Sequence, residues 1–569
     1  MDDSIQINGL LEPVDFSPKL AKPLEGIDFE FWVKFFIAFG LVIRSLRYFL
    51  RFPLWEDESF LGVSLFKRNF GQLCSPLDYH QVAPAFFLFL EKTVISIFGF
   101  NEMSLRLPAY VCGIASLFLV YHLSNRLLKG PTKLLFVALF AVSYPAIRYS
   151  AEAKPYGTDM FASLLMLIFV VEWLRNPRRF GWVLALILWT PIAIGLSFPA
   201  IFTAGGMSLL LFLALYRKKN IPRGWIYWLV FNAVTALSFL FFFKFFINKQ
   251  LGAEIGYMSD SWSDTFPSLR NPLLLLKWLV VIHTGDFFAH PVGGENFGSS
   301  VTLIFWIVGT VVLIKRRKFV IAGLMLTPML LNFGAAALQK YPYGGHVKFS
   351  MFIAPMLCLV MAVGIAAVLN NHAGRASIKN TGTVMVVILS IISAIGLGTI
   401  VRDALTPCKT LSDMRARAFA RWFWYSANFD GRAVCIKDDL GYEFSKNTWS
   451  QLSWSAMYLC NKYIYDRPDD IFRTPRPGSV PQIDKKVLSC VLYRDPKKLD
   501  FDEQAFGKWL SDMKTKYKFI SHEQYPVPRN DKKERKLINL NYIDIYRFEV
   551  EDFNAIEAMK FKEASSKSD

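Results

Sequence analysis

Apolar runs close to the ~20 residues that a helix needs to cross a bilayer recur through the first two thirds of the chain. They lie near 31–50, 105–125, 132–149, 156–174, 181–197, 200–215, 225–247, 299–314, 319–338, 349–369 and 383–402. The pattern predicts an all-α polytopic membrane protein of about eleven transmembrane helices. One further apolar segment, 83–100, is short and carries Glu91 and Lys92, so it is expected to lie at the membrane interface as a helix. Beyond residue 402 the pattern changes. RAVCIKDD, KVLSCVLYR and INLNYIDIYRFEV read as strands, and LSDMRARAFARWFWY and FDEQAFGKWLSDMKTK as helices, which predicts a small soluble C-terminal α/β domain. The expected organisation is a tail over 1–28, a transmembrane domain over 29–402 with large loops at 51–104 and 248–298, and the α/β domain over 403–569. Residues 556–569 read as a frayed end.

The loops between spans sort by charge. Arg126, Lys129 and Lys133, then Arg175, Arg178 and Arg179, then RKKNIPR at 217–223, then Lys315 to Lys318, then Arg375 and Lys379 all fall on alternate loops. By the positive-inside rule these face the cytoplasm. The N-terminal tail, polar and without a cleavable-signal pattern, falls on the same side. The other loops and everything after Arg402 are then extracytoplasmic. The net charge of +18 is therefore assigned to membrane loops; the bilayer is the expected partner and nucleic acid is not.

The alternate loops hold the candidate chemistry. Glu56, Asp57 and Glu58 follow the first span and Trp55, where ionisable groups facing a protein-lined cavity mark function. Arg44, Arg47 and Arg51 lie on one face of that span, on the side that the positive-inside rule disfavours, and suit an anionic ligand. In the loop 249–298, Asp260, Asp264, His283, Asp286, His290 and Glu295 could cluster, but NPLLLLKWLVVIHTGD reads better as an interfacial helix closing over the site. Cys408, Cys435, Cys460 and Cys490 have no zinc spacing, and one or two disulfides are compatible with an oxidising compartment. Cys74, Cys112 and Cys358 read as free.

The order WEDES, YHQVAPAFFLFLEKTVISIFGFNEMSLRLPAYVCG, IRYSAEAKPYGTDMF and YPYGGHVKFSMFIAP resembles the GT-C superfamily of polyprenyl-phosphate-sugar-dependent glycosyltransferases. Within it, the pattern is most similar to the bacterial branch of protein mannosyltransferases, lipid A aminoarabinose transferases and core galacturonosyltransferases. The resemblance covers roughly residues 30–400. It implies Asp57 as catalytic base, with Glu58 and Glu152 as further site carboxylates. It implies a donor-phosphate site among Arg44, Arg47, His80, Gln81, Arg106, Lys154, Tyr156, Tyr343, His346 and Lys348. The chain departs from the family's usual Arg at Lys154 and after Gly344-Gly345, where His346 and Lys348 supply the charge. No cofactor is certain; a divalent cation is the one candidate, with Glu58, His80 and Glu152 as its candidate ligands.

The expected activity is transfer of a sugar from a polyprenyl-phosphate donor to a glycan, lipid or protein acceptor. It would take place on the extracytoplasmic face of a bacterial inner membrane, by inverting displacement. Two other classes compete: a transporter or lipid-carrier flippase, which would show inverted repeats and midplane charges, and a non-catalytic envelope assembly protein, which would tolerate loss of Asp57.

Overall fold

The computed structural model describes residues 11–16, 24, 27–217, 221, 223–251, 262–373, 378–405, 411–425, 431–444, 448–465, 486–494, 501–529 and 539–551. Asp260 and Cys408, the end segment 556–569 and most of the tail 1–28 lie outside them. Every apolar segment expected from the sequence is helical. In chain order these are α1 (Phe29–Phe49), α4 (Glu102–Leu127), α5 (Gly130–Ala141) with α6 (Tyr144–Tyr149), α7 (Tyr156–Arg175), α8 (Phe180–Leu196), α9 (Ala200–Arg217), α10 (Gly224–Phe242), α12 (Ser300–Lys315), α13 (Phe319–Ala337), α14 (Ala354–Ala373) and α15 (Ile378–Leu405). Between them lie α2 (Glu56–Lys67), α3 (Ala85–Phe98) and α11 (Pro272–Thr284). Among the described residues six helical stretches are long and apolar enough to cross a membrane, and four apolar ones are shorter. The molecule is an integral membrane protein.

Local chemistry sets the ends of these helices. Asp28 caps α1 by accepting from the amides of Glu30 and Phe31 at 3.0 Å. The segment expected as one span over 132–149 is two helices. Pro145 has no N–H for the Ala141 carbonyl four residues back and its ring crowds that carbonyl, and the chain breaks at Val142 and Ser143. The short helix α3 has 14 residues, roughly 21 Å at 1.5 Å per residue, shorter than the ~20 residues of an ordinary span. Helices α12 and α14 meet through two glycines. A Cβ on Gly309 would stand 2.0 Å from the Val360 carbonyl, and one on Gly364 would stand 1.9 Å from that of Phe305. Small residues permit such backbone approach between membrane helices.

The C-terminal part contains α16 (Leu411–Tyr425), β1 (Arg432–Cys435), α17 (Ile436–Leu440), α18 (Thr448–Tyr465), β2 (Val487–Arg494), α19 (Glu503–Lys516), β3 (Lys518–Arg529) and β4 (Asn539–Glu549). Its sheet runs β1-β2-β4-β3, with β1 parallel to β2 and the other pairs antiparallel. Alternation along the strands splits the packing. Leu488, Cys490, Tyr546 and Phe548 face Phe506, Trp509 and Met513 of α19. Val491, Ile543 and Ile545 instead join α16, α18 and a core that runs on into Phe60, Leu61, Val63, Phe87 and Leu88 of the first loop. The loop and the α/β module therefore share one hydrophobic core. Cys435, Cys460 and Cys490 are buried free thiols; Cys460 donates to the Ser59 carbonyl at 3.1 Å.

Candidate active site at the motif-bearing ends of the helices

Trp55 is extended and α2 begins directly after it, so Glu56, Asp57 and Glu58 occupy its first turn, where negative charge is favoured by the helix dipole. That turn separates the two candidate acids. Glu58 points inward and is 1% exposed. Its Oε1 accepts from Arg106 Nε at 2.7 Å and the Ala153 amide at 2.8 Å; its Oε2 accepts from Arg106 Nη2 at 2.5 Å and the Trp55 amide at 3.2 Å. Arg106 uses its remaining donors on the carbonyls of Phe52, at 2.6 Å, and Pro53, at 3.0 Å. This buried pair fastens the segment 52–58 to α4 and to the turn before α7. The expectations of a catalytic or metal-binding Glu58 and a phosphate-binding Arg106 are corrected accordingly: Glu58 is saturated by four donors, and Arg106 spends four of its five N–H groups on Glu58 and backbone carbonyls.

Asp57 remains partly open, with its side chain 20% exposed, and its Oδ2 lies 3.8 Å from Lys348 Nζ. That ammonium rests 4.1 Å from the centre of the Trp262 ring, a cation–π contact that holds the charge without neutralising it. Lys348 is also within electrostatic reach of Lys154, Glu152 and Arg148. Lys154 is buried, and its Nζ donates to Gln81 Oε1 at 2.5 Å. Burial lowers the Lys154 pKa, and Asp57, Glu58 and Glu152 work against that shift. Glu152 Oε1 accepts from Arg148 Nε at 2.7 Å. Tyr156 packs edge-on against Tyr149, ring centres 4.9 Å apart, within reach of Asp57 and Glu152. His346 stands edge-on to Trp262 at 5.1 Å, its pKa lowered by burial and then by Lys348. Asp286 lies within electrostatic reach of Arg148. Burial and Glu295 raise its pKa to about 6 against the pull of Arg148. The result is a cluster in which Asp57 and Glu152 lie near Lys154, Lys348, Arg148 and His346.

Other predicted residues are elsewhere. Arg44 is fully buried and donates to the carbonyls of Gly40, Phe140 and Ala141 at 2.8–3.2 Å. It thus meets the Ala141 carbonyl at the end of α5 and adds a second donor to that of Phe140, which also accepts from the Ser143 amide, rather than meeting an anion. Arg47 lies 5.0 Å from the Phe52 ring centre, and Arg51 pairs with Glu102 at 3.6 Å. Tyr343 is 1% exposed, stacked on Phe287 at 4.5 Å, with its hydroxyl 2.9 Å from His283 Nε2. It belongs to an aromatic core beneath α11, not to the cluster. The three candidate metal ligands do not fit a cation: Glu58 is saturated, Glu152 is paired with Arg148, and His80 is exposed. Among the described residues no three His, Cys, Asp or Glu side chains converge as a metal site.

The segment expected to form a helix here is helical as α11, started by Asn271, which accepts from the amides of Leu273 and Leu274. Its Leu273, Leu274, Leu276, Val280 and Val281 are exposed, as suits a lipid-facing side. Arg148 and Trp262 escaped the sequence reading. The i, i+4 spacing of Arg148 and Glu152 was a visible signal; for Trp262 there was none, since its partners are more than eighty residues away.

Fold and site define an integral membrane protein with a mixed acid–base cluster gathered at one end of its helices. Residues 82–243 match the family model of the dolichyl-phosphate-mannose-protein mannosyltransferases. That segment contains Arg106 and the AEAKPY turn, and the resemblance to GT-C glycosyltransferases read from the motifs is borne out. No curated protein matches the chain. It is similar in structure to the Archaeoglobus fulgidus oligosaccharyltransferase in its apo form, at 13% identity and TM-score 0.45, over 76% of this chain and 64% of that one. It is likewise similar to ArnT from Cupriavidus metallidurans bound to undecaprenyl phosphate, at 11% identity and TM-score 0.45, over 90% of this chain and 98% of that one. The chain thus spans less than two thirds of the oligosaccharyltransferase. At such TM-scores these are likenesses only.

Proposed function

We propose that this chain is a membrane glycosyltransferase that moves one sugar from a polyprenyl-phosphate donor to a hydroxyl of a glycan, lipid or protein acceptor. The reaction takes place on the extracytoplasmic face of a bacterial inner membrane, with residues 29–402 forming the catalytic domain and 403–569 an extracytoplasmic domain. The observation that carries this reading is the divergence of two adjacent acids. Glu58 is locked by four donors, while Asp57 stays partly exposed beside Lys348. The family-model match over 82–243 supports the donor class.

The chemistry is a single inverting displacement. Asp57 accepts the proton of the acceptor hydroxyl as its oxygen attacks the anomeric carbon. The bond from that carbon to the phosphate oxygen breaks, and the electron pair leaves with the lipid phosphate. Lys348, Lys154, Arg148 and His346 supply positive charge or donors for that group. A retaining route needs a second carboxylate as nucleophile, and Glu152, the candidate, is tied to Arg148. To test this, purified protein is given a panel of short-chain polyprenyl-phosphate sugars and an acceptor panel, with and without chelator. Lipid-phosphate release and the anomeric configuration of the product are followed. Release with inverted configuration supports the proposal. Retained configuration contradicts the mechanism, and no release from any donor and acceptor pair contradicts the donor class.

A further inference from the structure

Tyr79 and His80 both adopt left-handed backbone, with φ of 55° and 56°. Consecutive non-glycine residues in that region are disfavoured and persist only where surrounding contacts fix them. The contacts are specific. Asp78 accepts from Ser64 Oγ and Arg68 Nε, both at 2.9 Å, which fastens the segment to α2. The Tyr79 ring stacks on Phe60 at 5.2 Å, and its hydroxyl donates to Asp438 Oδ2 at 2.6 Å. Asp438 lies in α17, more than 350 residues away in the C-terminal module.

The other side of the same turn reaches the cluster. The Tyr79 carbonyl accepts from Gln81 Nε2 at 3.2 Å, which orients the Gln81 amide so that its oxygen receives Lys154 Nζ at 2.5 Å. Lys154 stands among Asp57, Glu58 and Glu152, with Lys348 also within electrostatic reach. One uninterrupted chain of contacts therefore runs from Asp438 through Tyr79 and Gln81 to Lys154. We propose that Tyr79 and Asp438 are positioning residues: the C-terminal module, through this bond, holds the 78–81 turn in the conformation that sets Lys154 in the active site. The proposal rests on the transferase reading of that site. It gives the module a part in catalysis beyond packing on the first loop. Neighbouring grips, such as Tyr465 to Glu102 at 2.6 Å and Cys460 to Ser59, keep the module docked when this one bond is removed.

The test uses the full chain in lipid nanodiscs, with Tyr79→Phe, Asp438→Ala, Asp438→Asn and the Tyr79→Phe/Asp438→Ala double variant. Tyr79→Phe keeps the ring and its stacking, and Asp438→Asn keeps an acceptor oxygen. Two readouts are taken: donor turnover, and the pH midpoint for chemical labelling of Lys154, read by mass spectrometry without any need for activity. Tyr79→Phe and Asp438→Ala are expected to lower kcat by about 10- to 100-fold through misplacement, with less change in KM, and to move the Lys154 midpoint upward as the amine hydrates. Asp438→Asn should retain most of both, and the double variant should fall no further than the single ones, since they remove one interaction. Parent values in both readouts for Tyr79→Phe overturn the proposal, and that variant alone decides the matter if Asp438→Ala does not fold. A shifted Lys154 midpoint in a protein whose parent turns over no donor upholds the latch and rejects the transferase reading. Normal turnover in the parent with no effect of any variant does the reverse.

Discussion

Asp57 and Glu58 have the same chemistry and adjacent positions, yet the first turn of α2 sends one into a four-donor cage and leaves the other partly exposed. Their substitutions should therefore separate. Glu58→Gln breaks a buried ion pair with Arg106, which typically costs about 3–5 kcal/mol because the partner charge stays buried. A large fall in melting temperature in detergent is expected, and an unchanged one would refute the caged role. Asp57→Asn should leave the melting temperature near that of the parent. Asp286 yields a pH effect of defined sign. Its pKa in the folded protein is raised to about 6 above the ordinary carboxylate value near 4, so the folded state holds a proton that the unfolded chain releases between those values. The stability this contributes is fully present below about pH 4 and is lost as pH rises through about 6. Asp286→Asn should remove that loss, so that parent and variant differ most in their pH slope between 4 and 7; parallel stability curves would contradict the assignment. At this scale the sequence named both acids, Lys154, His346 and Lys348. It misread Arg44, because nothing local says that a broken helix 100 residues away needs its carbonyls met, and it misread Tyr343, whose aromatic neighbours come from three other segments.

At the scale of elements, span lengths were legible because apolar runs of membrane length have few alternatives. The division of 132–149 was signalled by Pro145, yet the structural answer depends on Arg44 of another helix. Arg44→Leu keeps bulk but uncaps α5; a loss of about 1–3 kcal/mol is expected for the buried Ala141 carbonyl left unsatisfied, with donor KM unchanged. A raised KM without loss of stability would restore the anion-binding role. The crossing of α12 and α14 is sterically exacting. Gly364→Ala places a methyl about where the Phe305 carbonyl oxygen stands, so the helices must separate. A cost of about 1–3 kcal/mol by overpacking, read as a lower melting temperature, is expected; a neutral Gly364→Ala would mean that the helices are not in contact there.

For the whole molecule, the sequence suggested a membrane domain and a soluble module meeting at residue 402. The composition does shift there, but α15 continues to Leu405, and the packing ignores the boundary. Phe60 and Phe87 of the first loop lie in the same core as Phe419, Trp454 and Ile545. No periodicity in either segment announces that partnership, since each reads as an ordinary amphipathic piece whose apolar side could face its own neighbours or lipid. The first loop is thus gripped between the helices on one side and the module on the other. The proposed reaction has Asp57 take a proton from an acceptor during transfer from a lipid-phosphate donor. Its most direct test is donor-to-acceptor turnover by the parent and by Asp57→Asn, both in nanodiscs and both checked for equal melting temperature. The variant should be slower by about 10²- to 10⁴-fold in kcat, the range for loss of a positioned base; equal turnover by the two proteins would contradict that role for Asp57.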